Sequence, residues 1–581
     1  MQLPIDITNR TLELEDVKDK WFFDEKYQVW CLEDVLYTLK ATTPKFQRLS
    51  IFVPKEYMSQ PGEIYLDGEK NGYTAKTAPV IFENNSAGYM QMPHTYLGGP
   101  RDEAGKYLQA GMVYVTCGNR GSESKNSNGE FCGKSPMNLV DLKTGIRFIR
   151  HNKDNIPGNM DKIISVGWSA GGAMSTLLAV TGNHKDYESY LQENGAFMEE
   201  SDAVFAAQIY CPIVDLEHAD LAYEWMFHED KECEDSPAGP REIMTPFKEE
   251  LSKLLKKEYI EYFNSLKIKH PETGEVLLLE ENGRSGSAYD YLMKKLNESA
   301  TKFLTKLSMG ILDKTYSVEA YLEGNYTYSV PCIPPRKKDR PDDKMSHFAG
   351  PGVDVGADLC PPGAPIFDMP LEPPTLGDLV ARPPKGAPVM PPFKPPMREV
   401  NGEDKKNWLF WDGQKAEIKD LDTYVLRHRR RMKPCTSFDT FAMDSGENRL
   451  FGECNQENHF MHFDTYVADA IDKLKSQFPE EYDRYYKEFA ASYNNEYQEK
   501  AKYLYNPYHY IREKDAADVA KEIRIRVGAF DADTSASVAM TLACLMKEYG
   551  FNADYALVWD EPHCQADYED EVVDWIGSIT K

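Results

Sequence analysis

The chain has 581 residues, 41% hydrophobic and 28% charged, so it can bury a sizeable core and is long enough for one large domain with an insertion or for two or three units. A formal net charge of -27 argues against nucleic acid and against anionic membrane surfaces, because their phosphates would be repelled. That balance fits a soluble enzyme acting on a small molecule. The 11 cysteines are dispersed, with no Cys-x-x-Cys pair, which fits reduced structural thiols better than a disulfide framework. Met1 to Asp6 show neither a basic nor an apolar signal region, and no run of 18 apolar residues occurs, so the expectation is a cytoplasmic protein without membrane contact.

Residues 1–40 are mixed and aromatic. Gln47 to Pro54 alternate apolar and polar residues and predict a strand. Pro79 to Phe82 predict a short buried strand opening into the polar loop Glu83 to Gly88, and Gly111 to Cys117 predict a third. Ser135 before Pro136 predicts a helix start with a serine N-cap, followed by Leu139, Leu142, Ile146 and Ile149 on one face. Ile163, Ile164 and Val166 then form a strand, Gly167-Trp168-Ser169-Ala170-Gly171 a turn, and Ala173 to Val180 a helix. Ala203 to Tyr210 predict another strand. Strands alternating with amphipathic helices predict a mainly parallel sheet with helices on both faces.

After about residue 216 the alternation stops. Segments such as Phe247 to Phe263, Tyr289 to Leu312 and residues 461–505 look helical, while 330–397 are dense in proline and glycine and predict a surface excursion or linker. Strand signals return at Ile523 to Val527 and Tyr555 to Trp559. The organisation expected is therefore a sheet domain in two segments, 1–215 and 510–581, interrupted by a lid-like, mostly helical insertion over 216–509.

Strand, tight turn with a serine at its tip, then helix is the context of a nucleophile elbow. Gly-x-Ser-x-Gly by itself recurs by chance in roughly one chain in six of this length, so partners are needed. The α/β-hydrolase fold orders its triad as serine, acid, histidine, each in a loop at the C-terminal end of a strand. Ser169, Asp531 and His563 satisfy that order. Serine needs a histidine to take its proton, and the histidine needs a carboxylate to fix its tautomer. Asp531 and Asp533 compete for the acid role, and Asp531 is preferred as nearer the strand end. The oxyanion donors expected are the backbone N–H of Ala170 and one from the loop after Phe82, with Ala87 the candidate. No metal or organic cofactor is implied.

Phe46 to Pro54, Asn85 to Met90, Gly133 to Pro136, Gly167 to Gly172, Met432 to Pro434, Ser445 to Gly452 and Phe530 to Asp533 together resemble bacterial tannases. The resemblance implies a serine carboxylesterase that hydrolyses galloyl esters, with a small-molecule phenolic ester as its partner. It also implies that Lys433, Glu447 and Asp533 bind the galloyl hydroxyls, although the basic run Arg427 to Arg431 before Lys433 would ordinarily be a solvated helix face. Fungal tannases and their feruloyl-esterase relatives pair a cysteine before the serine with one after the histidine. Trp168 precedes Ser169 here, so Cys564 lacks that partner and the fungal branch is disfavoured. The rivals are a hydroxycinnamoyl esterase on the same scaffold, a peptidase of prolyl-oligopeptidase type, which shares Gly-Trp-Ser-x-Gly-Gly, and a non-enzymatic binding protein. The hydrolase core starts by about residue 45, too early for an N-terminal propeller, and all three triad residues are retained.

Overall fold

The computed structural model describes residues 12–84, 86–98, 103–233, 242–329, 397–401, 406–492, 496–568 and 571–581. The proline-rich stretch therefore lies, save for Met397, outside the described residues, as do Asn85 and Met1 to Asp6. A nine-stranded sheet organises the molecule: β1 (Phe22–Asp24), β2 (Val29–Leu36), β3 (Arg48–Pro54), β4 (Pro79–Asn84), β5 (Val113–Cys117), β6 (Asn159–Trp168), β7 (Ala206–Tyr210), β8 (Glu522–Gly528) and β9 (Asn552–Val558). Their spatial order is β1-β2-β3-β5-β4-β6-β7-β8-β9. From β5 to β9 every pairing is parallel, while β1, β2 and β3 join in antiparallel fashion. Two strands before residue 40 thus extend the sheet beyond the strands predicted from the sequence.

The parallel strands are short apolar runs because covered parallel strands expose neither face to water. Val80, Ile81, Phe82, Ile163, Ile164 and Ile209 are all fully buried. Helix α1 (Met137–His151) precedes β6, α2 (Ala170–Val180) packs on β6 and β7, and α6 (Ala536–Glu548) packs on β8 and β9. The predicted serine cap of α1 is not formed. Pro136 is the N-cap residue, and the Ser135 hydroxyl instead donates to the Ala501 carbonyl at 2.8 Å, tying α1 to the insertion.

Strand order reverses between β4 and β6: β5 lies on one side of β4, and the chain returns to the other side to lay down β6. In parallel sheets such a switch point opens a crevice beyond the carboxyl ends of the strands. The loops after β4, β6, β7, β8 and β9 all emerge at that end.

The excursion between β7 and β8 carries helices α3 (Ala219–Phe227), α4 (Pro246–Ser265) and α5 (Ser287–Ser308), shorter helices, and small two-stranded ribbons such as Leu409–Trp411 with Ala416–Ile418. Its chain is stitched together by buried carboxylates. Asp220 accepts the backbone N–H groups of Ser437, Phe438 and Asp439 at 2.6, 3.0 and 2.8 Å. Asp439 in turn accepts from the Phe463 and Asp464 N–H groups at 2.7 and 2.8 Å and from the Asn448 amide at 2.7 Å.

The basic run is not a solvated face. Arg429 and Arg431 are fully buried, and Arg430 grips Asp230 with two hydrogen bonds of 2.6 and 2.9 Å. Arg431 pairs with Glu224 of α3, with Nη1 to Oε1 at 2.9 Å and both side chains sealed from solvent. Removing one partner of such a pair strands a buried charge, so Glu224→Ala is expected to lower the unfolding free energy by about 3–5 kcal/mol. The check is a fall in the urea midpoint at unchanged slope.

Candidate active site

Ser169 sits where β6 ends and α2 begins, with φ 60° and ψ −128°. A positive φ is uncommon for a residue with a side chain and costs energy, which the surroundings must supply. They do so with hydrogen bonds from the Ser169 N–H to the Tyr210 carbonyl (3.1 Å) and from the Ile213 N–H to the Ser169 carbonyl (3.3 Å). The turn also needs close backbone approach. A Cβ on Gly167 would stand 2.2 Å from the Gly171 carbonyl oxygen and 2.6 Å from the Asn84 amide nitrogen. Asn84, at the end of β4, braces the turn by donating to the carbonyls of Val166 (3.2 Å) and Gly171 (3.3 Å) and to the Ser175 hydroxyl (2.9 Å).

Ala170 is the first residue of α2, so its N–H is among those a helix leaves without an internal partner. Ala87 opens the turn Ala87–Tyr89, which packs against α2. The two loops abut at Gly171, where a Cβ would stand 3.5 Å from the Ser86 nitrogen.

Asp531 follows β8 and His563 follows β9. The His563 Nδ1 lies 2.8 Å from Asp531 Oδ2, and the Asp533 N–H donates to Asp531 Oδ1 at 2.9 Å. Asp533 Oδ2 stands 4.0 Å from the same Nδ1, so the structure makes Asp531 the direct partner of the ring. The Trp168 ring, next to Ser169, lies 6.0 Å from the His563 ring. Burial raises the Asp531 pKa, but the His563 hydrogen bond, Arg429 and the Asp533 N–H outweigh it and hold the carboxylate below its usual value. Burial also disfavours the His563 cation, yet Asp531, Cys211 and Asp533 outweigh it and hold the ring pKa well above the ordinary histidine value. Asp533 moves the other way from Asp531: burial raises it, against His563 and Lys433.

Lys433 and Glu447 arrive from the insertion. Lys433 Nζ is 3.8 Å from Asp533 Oδ1 and 4.2 Å above the Phe438 ring. Glu447 lies in the first turn of the short helix Gly446–Leu450, capped by the Ser445 hydroxyl. That helix rests on the loop after β4, where a Cβ on Gly446 would come within 2.6 Å of the Gly88 carbonyl oxygen. Burial pushes the Glu447 carboxyl up, and Lys433 partly offsets it. Asp533 thus stands beside His563, Lys433 beside Asp533, and Glu447 within electrostatic reach of Lys433.

Several contributors left no sequence signal. Tyr223 of α3 is fully buried; its hydroxyl donates to the Ala532 carbonyl at 3.0 Å and accepts the N–H groups of Met432 (3.2 Å) and Lys433 (3.0 Å). One oxygen therefore joins the Asp531–Asp533 loop to the Lys433 backbone. Arg429 adds a second tie, donating to the Thr534 carbonyl at 2.5 Å. A different serine–histidine–aspartate chain also exists: Ser50 Oγ lies 2.9 Å from His94 Nδ1, and His94 Nε2 lies 2.9 Å from Asp34. Ser50 sits inside β3 with no exposed surface and no helix N-terminus behind it, so hydrogen bonding alone does not identify the nucleophile.

Comparison with known proteins agrees with this fold. The BD-FAE family model, of feruloyl-esterase type, matches residues 104–236. The native tannin acyl hydrolase of Lactobacillus plantarum superposes with a TM-score of 0.67 at 25% identity, covering 95% of this chain and 94% of that one. The tannase of Fusobacterium nucleatum superposes with a TM-score of 0.71 at 25% identity, over 99% of this chain and all of that one (100%). A tannin acyl hydrolase in complex with ethyl gallate gives 0.68 at 25% identity, covering 95% and 94%. None of the curated proteins matches in sequence. The fold and the site define a carboxylic ester hydrolase of the α/β-hydrolase fold. Within that class the chain is similar to the bacterial tannases over essentially its whole length.

Tyr223→Phe keeps the ring and deletes the shared oxygen, leaving buried backbone groups unpaired. The expected loss is about 1–3 kcal/mol of stability, measured by denaturant unfolding, while Phe at the same volume leaves the packing unchanged.

Proposed function

We propose that the chain is a serine esterase that hydrolyses galloyl and related phenolic-acid esters through an acyl-enzyme. The observation that carries the reading is Lys433 and Asp533 standing beside the Asp531–His563 pair, with Lys433 3.8 Å from Asp533 and Asp533 4.0 Å from His563, and with Glu447 close enough to feel the Lys433 charge. A trihydroxyphenyl ring presents adjacent hydroxyls along one edge, and an ammonium with two carboxyl groups supplies both donors and acceptors for them. The complex of a similar tannin acyl hydrolase with ethyl gallate supports the same substrate class.

In this reading neutral His563 takes the Ser169 proton as Oγ attacks the ester carbonyl. The developing oxyanion is met by the N–H groups of Ala170 and Ala87, each such donor contributing about 10²–10³ in rate. The imidazolium, stabilised by Asp531, returns the proton to the leaving alcohol. Water activated by His563 then cleaves the acyl-enzyme, releasing the phenolic acid and regenerating Ser169. No cofactor takes part.

His563 acts as a base only when neutral. Its raised pKa therefore makes kcat/KM climb with pH, with an acid limb above the ordinary histidine value of about 6.5. Asp531→Asn removes the largest raising influence, so the limb is expected to move to lower pH while kcat falls by about 10⁴. A pH–rate profile of both proteins decides it.

The substrate assignment is tested by methyl gallate, methyl ferulate and methyl benzoate. Lys433→Ala and Glu447→Ala are each expected to reduce kcat/KM for methyl gallate about 10- to 100-fold, since a hydroxyl loses its buried partner, while methyl benzoate stays within about twofold. Unchanged methyl gallate turnover in both variants, or wild-type preference for methyl ferulate, sinks the gallate assignment.

A further inference from the structure

Cys211 is a thiol that the hydrolytic cycle does not use. It follows β7 directly, is fully buried, and has φ 33°, a conformation that a side-chain-bearing residue adopts only under constraint. Its N–H donates to the Arg526 carbonyl at 2.8 Å, and its Sγ donates to the Cys564 carbonyl at 3.3 Å, so the thiol is held from two sides. It is held against the Asp531–His563 pair. Cys211 Sγ, a carboxylate oxygen of Asp531 and a ring nitrogen of His563 all lie within 4.8 Å of one another.

A thiolate, an imidazole and a carboxylate are the donor set of tetrahedral zinc and of its softer, larger relative cadmium. Metal–ligand bonds of about 2.0–2.3 Å place the ligand atoms of a tetrahedral site roughly 3.5 Å apart. The trio would therefore close by about 1.3 Å at most, within the reach of side-chain adjustment. Three protein ligands leave the fourth position to water.

We propose that Cys211, Asp531 and His563 form an inhibitory site for a soft divalent cation, which on binding switches the esterase off. The consequence rests on the reading of His563 as the base. Nδ1 is the ring nitrogen that faces Asp531, so the shared ion takes Nδ1. An imidazole bound through Nδ1 is left with its proton on Nε2, and that tautomer cannot accept the Ser169 proton. Binding releases the thiol proton to solvent and shifts the neutral ring's proton from Nδ1 to Nε2, and no electron is transferred. It is an inhibitor and takes no part in turnover.

The test uses the full chain and 4-nitrophenyl benzoate, an ester without chelating hydroxyls. Cd²⁺ and Zn²⁺ chlorides are expected to inhibit the wild type, with full recovery on adding EDTA. Cys211→Ser, measured against its own metal-free turnover, is expected to need about tenfold or more metal for the same fractional inhibition. Co²⁺ titration supplies a readout independent of activity: a thiolate-to-cobalt charge-transfer band in the wild type, absent in Cys211→Ser. Equal metal sensitivity of the two proteins, or no cobalt band in the wild type, overturns the site. A cobalt band with undiminished turnover overturns the switch. Wild-type turnover in metal-free His563→Ala would instead overturn the reading of His563 as the base, whatever the cobalt spectrum.

Discussion

The parallel pairing of β7 with β8 is the joint on which the site depends. Ala206 to Tyr210 lie in register with Glu522 to Arg526, and the Cys211 N–H extends the ladder by one more hydrogen bond to Arg526. On one side of this seam the Tyr210 carbonyl holds the Ser169 N–H; on the other, β8 runs directly into Asp531. More than 300 residues separate the two strands in the chain. Loop-closure entropy grows only logarithmically with length, so so long an excursion is thermodynamically tolerable provided the seam itself is well packed.

The excursion does more than hang from the seam. Its Asp220 and Asp439 carboxylates gather backbone N–H groups from two separate stretches, and the Glu224–Arg431 pair fixes the segment that delivers Lys433. Tyr223 then joins that segment to the loop carrying Asp531 and Asp533 through one hydroxyl. The loop carrying Asp531 and the segment carrying Lys433 are therefore not independent bodies. A rigid connection of this kind preorganises charge, so the site spends little energy on reorganisation when substrate arrives.

Within the site, burial acts on every carboxyl in the same direction, and partners decide the outcome. Asp531 accepts both the His563 ring and the Asp533 N–H, and its pKa is held down. Asp533, two residues on, has no donor so close and is pushed up, as is Glu447. Groups driven apart in this way suit different tasks. A carboxylate held toward its ionised form, as at Asp531, can stabilise an imidazolium, while carboxyls pushed toward protonation can exchange hydrogen bonds with neutral phenols.

The strands from Arg48 to Tyr210, the elbow at Ser169, and the order of Ser169, Asp531 and His563 were legible in the sequence, because apolar periodicity and turn chemistry act between residues a few positions apart. The direct contact of Asp531 rather than Asp533 with the ring also followed from its position at the strand end. The fate of Arg429 and Arg431 did not: a run of charges looks the same whether water or a buried glutamate receives it. The same holds for Ser135, whose cap position was plausible locally but whose hydroxyl found the Ala501 carbonyl instead. Tyr223, Asn84 and Cys211 carry no pattern, since what makes each matter is an atom hundreds of residues or several strands away. Local pattern thus determined which elements form and where Ser169, Asp531 and His563 fall along them. Only the tertiary structure decided which buried groups share a hydrogen bond, because that depends on where the folded chain brings distant segments into contact.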